Sequence, residues 1–165
     1  IKLAGFEPVM ENTNLDRIEY YSDISEIVNQ KYDVITCFEV LEHFNSKGQR
    51  EILENIHNLL NDKGVIIISV PIEIYLPSLI KNIVRIKYTK LDFQYIKNML
   101  KAVFAQDISE IRDTDDYITT HLGFNHKKLE ILFKENFEIL EKKTSPLKNL
   151  PVGINSQIFY KLKKK

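Results

Sequence analysis

Polar side chains collect where short apolar runs stop, and this placement is the first sign of chemistry in the sequence. Glu7 closes the run Ile1 to Phe6 in the phrase GFEP. A carboxylate at a strand end can accept hydrogen bonds from both hydroxyls of a ribose, as dinucleotide-binding folds do; it can equally be a solvated loop acid. Asp23 follows a second run, Ile18 to Tyr21. It suits either the cap of a brief helix or an acceptor for the amino group of an adenine, with the Ile24 backbone N–H meeting a ring nitrogen. A third run, Val34 to Phe38, is followed by Glu39-Val40-Leu41-Glu42-His43. His43 reads as a partly buried hydrogen-bonding residue or as a pocket-mouth group, since an imidazole can take up a proton near neutral pH. Glu39 and His43 would share one face of a helix that had begun by Glu39. One histidine with two acids makes a poor zinc set, so no metal is expected.

The elements that must position these groups are legible from periodicity. Asp33 to Phe38 is rich in β-branched and aromatic side chains and reads as a buried strand, with Val40, Leu41 and Phe44 opening a helix after it. A strand running into a helix leaves a crevice at its carboxyl end where ligands bind in open α/β sheets. From Ser46 to Leu60, the residues Ile52, Leu53, Ile56, Leu59 and Leu60 form one stripe, with Gln49, Arg50, Glu54 and Asn58 outside. Asp62, Lys63 and Gly64 then turn the chain into a second buried strand, Val65 to Val70. Near the C-terminus a helix from His126 to Phe133 precedes an edge strand, Phe137 to Lys143. Its antiparallel partner, Ser156 to Leu162, follows the proline-punctuated connector PLKNLPVGIN.

Two segments carry a resemblance. Asp33 to His43, with its DVI, Cys37 and EVLEH, and Leu59 to Pro71, LLNDKGVIIISVP, together resemble the class I S-adenosylmethionine-dependent methyltransferases of the small-molecule type. The resemblance covers nearly the whole chain. It implies an α/β, three-layer Rossmann-like domain whose mostly parallel sheet ends in an antiparallel strand. It also implies S-adenosylmethionine as cofactor, with Glu7 on its ribose, Pro8 against the adenine, Asp23 and Ile24 on the adenine edge, and Cys37 and Phe38 bordering the methionine part. His43 and His121 become the catalytic candidates at the active-site mouth. In that family an acidic, glycine-rich strand and turn precedes everything seen here. Gly5, Gly48, Gly64, Gly123 and Gly153 are too scattered to form it. The first strand is therefore expected to be missing, and Ile1 in place of an initiator methionine fits an N-terminally truncated chain.

Residues 72–120 interrupt the alternation of strand and helix and read as an insertion, which the resemblance makes a lid over the acceptor pocket. Leu76, Leu79, Ile80, Ile83, Val84 and Ile86 lie among Lys81, Arg85, Lys87 and Lys90 in an amphipathic pattern. Two readings stay open: a stripe covering the domain's own core, or a surface meeting a lipid-like substrate or an anionic membrane through residues 72–101. Asp113, Asp115 and Asp116 ahead of His121 read as a solvated loop.

Composition narrows the classes further. A chain of 165 residues is long enough for one domain with a sizeable core. Its 23 basic and 23 acidic residues leave no positive excess, so nucleic acid is not the expected partner. The single Cys37 excludes an internal disulfide and reads as a small core residue. The opening is neither a signal peptide nor a membrane span, and the cytoplasm is the default compartment. The expected function is methyl transfer to a small-molecule or lipid-linked acceptor. The alternative is a non-catalytic methyltransferase-like module that binds another protein. A nucleotide-binding oxidoreductase of related architecture is disfavoured by EVLEH, SVP and the antiparallel ending.

Overall fold

The structure, a computed structural model, describes residues 3–6, 18–21, 23–73, 101, 118, 124–147 and 150–165. The first two strands, β1 (Leu3–Phe6) and β2 (Ile18–Tyr21), pair in parallel with Leu3 opposite Ile18. A four-stranded sheet holds β3 (Tyr32–Phe38), β4 (Leu60–Pro71), β5 (Phe137–Ser145) and β6 (Gln157–Lys164) in the order β3-β4-β6-β5. β3 and β4 are parallel, and β6 is antiparallel to both neighbours. Hence β3, β4 and β5 run one way and only the last strand opposes them, as expected for this α/β class. The sheet is split into two pieces, and the edge of β3 remote from β4 has no strand beside it among the described residues.

Two helices, α1 (Ser46–Leu59) and α2 (His126–Asn136), pack on one face of this sheet. Side chains alternate along a strand, so β4 sends Ile66, Ile68 and Val70 to that face. They meet Leu162, Tyr160 and Ile158 of β6 directly opposite, and all six are fully buried. Leu53 and Ile56 of α1 and Leu129 and Phe133 of α2 close the core over them. The Phe133 ring lies edge-on to Tyr160 at 5.2 Å, and His57 likewise meets Phe137 at 5.6 Å, fixing the helices to β6 and β5. No helix among the described residues is long and apolar enough to cross a membrane.

Several expectations need correction. No helix begins by Glu39, because Glu39 sits at φ 53° and Phe44 is extended; between them Leu41–His43 makes only a 3-10 turn. Glu39 and His43 therefore do not share a helix face. Gln49 is not outside: it is buried, and its Nε2 donates to the carbonyls of Leu41 (3.0 Å) and Phe44 (3.1 Å). The turn expected at Asp62 to Gly64 lies inside the bounds of β4 as an irregularity. Tyr32 pairs with Leu60, yet Val34 pairs with Val65. Gly64 is required there, since a Cβ would come within 2.7 Å of Leu60 Cδ1. β3 is not buried on both faces. Ile35 and Cys37 pack against the core, while Val34 and Phe38 are 54% and 50% exposed, because no described residue layers over that side of the edge strand.

Under α2 lies a charged cluster. Tyr160 Oη donates to Glu130 Oε1 at 2.9 Å, and Lys142 Nζ reaches the same oxygen at 2.6 Å. Burial raises the Glu130 carboxyl, but these two hydrogen bonds outweigh it and hold it below the usual range. His126, one helical turn before Glu130, is buried, and its Nδ1 has no partner among the described residues. Burial pushes its pKa down to about 4, against the pull of the Glu130 charge and with a further push from Lys142 and Lys127. The unfolded chain then takes up a proton near pH 6.5 that the folded one refuses until about pH 4. Stability is expected to fall across that window by roughly 3 kcal/mol as pH drops, and to be flat for this group above it. Urea titrations from pH 8 to 4 check this, and His126→Asn should flatten the slope.

Candidate functional site

The carboxyl ends of β3 and β4 come together with the start of β6. Glu39 stands at this junction. Its backbone N–H donates to Ser69 O at 3.1 Å, continuing the ladder one residue past β3. Its Oε1 accepts from Ser69 Oγ at 3.1 Å and from Gln157 Nε2 at 2.9 Å. Left-handed backbone costs a bulky L residue on the order of 1–3 kcal/mol, and such outliers gather at functional sites. The turn that follows is pinned from below by Gln49 and from the side by Ile118. His43 Nδ1 lies 2.9 Å from Ile118 O, and Ile118 N donates to His43 O at 2.7 Å. A carbonyl can only accept, so Nδ1 carries a proton at this contact.

The described side chains around this end are unsuited to covalent chemistry. Cys37 packs against the core, and burial together with the charge of Glu42 pushes its thiol up to about 12, so it stays protonated. Glu42 is fully buried. Phe38 offers a half-exposed ring that meets Phe159 edge-on at 6.3 Å. Among the described residues no group of three or more His, Cys, Asp or Glu is arranged to hold a metal ion.

At the end of β2, Asp23 does what its helix-cap reading requires. Its carboxylate accepts from Ser25 N at 2.8 Å, and its own N–H donates to Glu26 Oε1 at 3.2 Å, closing a capping box on the 3-10 turn Ile24–Glu26. The hydrogen bonds from Ser25 hold its carboxyl below the usual range. Asp23 and Ile24 thus stand at one strand end, and Cys37 and Phe38 at another. Glu7, Pro8 and His121 lie outside the described residues, as do the basic residues Lys81, Arg85 and Lys87 of the insertion. Gln157 and Ser69 were not readable as site residues: Ser69 sits in an apolar strand, and Gln157 joins only through the antiparallel register.

A sequence profile described as "Methyltransferase domain" matches residues 1–100, and the chain belongs to that family. Among solved structures it resembles the PH0226 protein from Pyrococcus horikoshii at 13% identity and TM-score 0.56, covering 90% of this chain and 60% of that one. A putative S-adenosylmethionine dependent methyltransferase from Listeria monocytogenes aligns at 15% identity and TM-score 0.55, over 99% and 80%. The 1,6-didemethyltoxoflavin-N1-methyltransferase of Burkholderia thailandensis, solved with 1,6-didemethyltoxoflavin and S-adenosylhomocysteine, aligns at 15% and 0.50, over 91% and 52%. Other solved relatives are spanned over 39% to 56% of their length. No curated protein sequence matches the chain. These likenesses fix the fold as that of Rossmann-like methyltransferases.

The support under the turn is open to test. Gln49→Leu removes both amide hydrogen bonds and leaves the Leu41 and Phe44 carbonyls unmatched in a buried setting. A loss of about 1–3 kcal/mol is expected, read from the urea midpoint at unchanged slope.

Proposed function

We propose that the intact protein transfers the methyl group of S-adenosylmethionine to a small-molecule or lipid-linked acceptor in the cytoplasm. The observation that carries this reading is the family match over residues 1–100, which spans the strand ends where polar groups gather. Residues 1–165 act as one domain, and the edge of β3 that has no strand beside it among the described residues leaves room for a further, glycine-rich strand. S-adenosylhomocysteine in the Burkholderia relative supports the cofactor class.

The described residues suit such a ligand in kind. Asp23 keeps an exposed carboxylate oriented by its cap, with the Ile24 backbone beside it for an adenine edge. Cys37 and Phe38 present backbone at a strand end whose side chains are turned to the core or to Phe159. Glu7 and Pro8 complete the set at the ribose and adenine. When bound, the cofactor supplies a methyl group on a positively charged sulfur, already a good leaving group. The protein's task is then to orient the acceptor and exclude water, and a strong base is needed only for an acceptor that must lose a proton. His43, with Nδ1 fixed on Ile118 O, is assigned to accept that proton, and His121 to the mouth.

Glu7→Gln in the intact protein is expected to weaken S-adenosylhomocysteine binding by roughly 1–3 kcal/mol, the cost of losing a charged hydrogen-bond partner. Unchanged affinity by calorimetry would remove Glu7 from the site.

Residues 72–120 are assigned to acceptor choice. Their two ends are anchored beside the site, by Ile72 N on Ser156 O (2.9 Å) and by the Ile118–His43 pair. If the segment meets an anionic or lipid-linked acceptor, neutralising Lys81, Arg85 and Lys87 together should lower acceptor-dependent turnover and its salt sensitivity while cofactor binding holds. A silent triple variant, with Ile83→Asp unfolding the domain, would make the segment a core cover. A second reading, a non-catalytic protein-binding module, draws on the half-exposed Val34 and Phe38 along a strand with no neighbour on one side among the described residues. Methyl transfer from labelled cofactor to any acceptor in a chemically mixed panel would reject it.

A further inference from the structure

Glu39 has no task in the reading above, yet it is the most constrained exposed group at the strand end. It is the one non-glycine residue with positive φ among those described. Its main chain is tied to Ser69 O, and its Oε1 is held twice, by Ser69 Oγ and Gln157 Nε2. Both of those donors are neutral. Among the described residues no lysine or arginine pairs with this carboxylate, and Oε2 accepts no hydrogen bond. One oxygen therefore serves as the anchor while the other is presented, with no cation paired to it among the described residues, at the end of the sheet where ligands bind. A resisted backbone conformation held by three hydrogen bonds is the signature of a preset group.

We propose that Glu39 Oε2 recognises the nitrogen of the methyl acceptor, and that the acceptor is a small amine. This rests on the methyltransferase reading and names its substrate class. A charged N–H donor on a carboxylate makes a bond about twice as strong as a neutral donor does, which favours an amine over the isosteric alcohol. The amine arrives as an ammonium and gives one proton to His43, the proton acceptor assigned above. It keeps an N–H on Oε2, which turns the nitrogen lone pair away from Glu39. That lone pair forms the new N–C bond while the S–C pair returns to sulfur. The positive charge that then forms on nitrogen lies against the carboxylate.

The test uses two matched probe pairs, benzylamine with benzyl alcohol and hexylamine with hexanol. Binding to the intact protein is followed by NMR with and without S-adenosylhomocysteine. Each amine is expected to bind about tenfold tighter than its alcohol, and Glu39→Gln, which keeps an amide oxygen for Ser69 and Gln157, should abolish the preference. Glu39→Gly removes the carboxylate and relieves the left-handed strain; it should raise the thermal midpoint and lose the same amine binding. Equal binding within each pair, no amine binding, or amine binding unchanged in both variants overturns the proposal. Glu39-dependent amine binding in a protein that does not bind S-adenosylhomocysteine would reject the methyltransferase reading and leave the amine site standing.

Discussion

The insertion of β6 between β4 and β5 is the constraint on which the rest of this structure depends. The β4–β6 ladder pairs Ile66, Ile68 and Val70 with Leu162, Tyr160 and Ile158, and these six side chains are the floor on which both helices rest. Because side chains alternate, a slip of one residue would send all six to the other face and expose the core. The same register decides the composition of the strand end. Pro71 falls opposite Gln157, so the first residue of β6 is delivered to the tip of β4, within reach of a glutamate 118 residues earlier. Packing in the middle of the sheet thus sets the chemistry at its end.

Where regular pairing stops, buried amides take over. Gln49 satisfies two carbonyls of the turn after β3. Asn155, fully buried, donates to the carbonyls of Leu147, Leu150 and Pro151 and accepts from Leu147 N at 2.7 Å, organising the connector before β6. A primary amide suits both places because it offers two donors and an acceptor without a charge to desolvate. By contrast, the surface ion pair between Arg50 and Glu135, which joins the two helices, is exposed on both sides and adds little to stability.

How much of this was legible follows from the range of each interaction. The runs Leu3–Phe6 and Ile18–Tyr21, the α1 stripe and the β5–β6 ending are local patterns, and the sequence carries them within a few residues. The strand limit at Gly64 was misplaced because pairing with Tyr32 extends β4 back to Leu60, which no local pattern records. The helix expected from Glu39 failed for a similar reason. Its propensity is overridden by tertiary bonds from Ser69 and Gln157, and Gln49 looked solvated until the carbonyls it serves were in place. Asp23 offered two readings, and the capping box realises the local one without displacing the other.

The two glutamates of the EVLEH segment show how one motif divides its roles by geometry. Glu42 points into the interior, where it is fully buried and its charge helps hold the neighbouring Cys37 thiol protonated. Glu39, three residues earlier, is turned outward by its left-handed backbone and tied down through one oxygen. A helix through both positions would have placed them on one face, three residues apart, as two like charges in mutual repulsion. Breaking the helix at Glu39 separates them and leaves the end of β3 with a presented carboxylate beside an inert thiol. A strand end so furnished can orient a ligand and take up charge, and among its described residues no group is suited to forming a covalent bond with one.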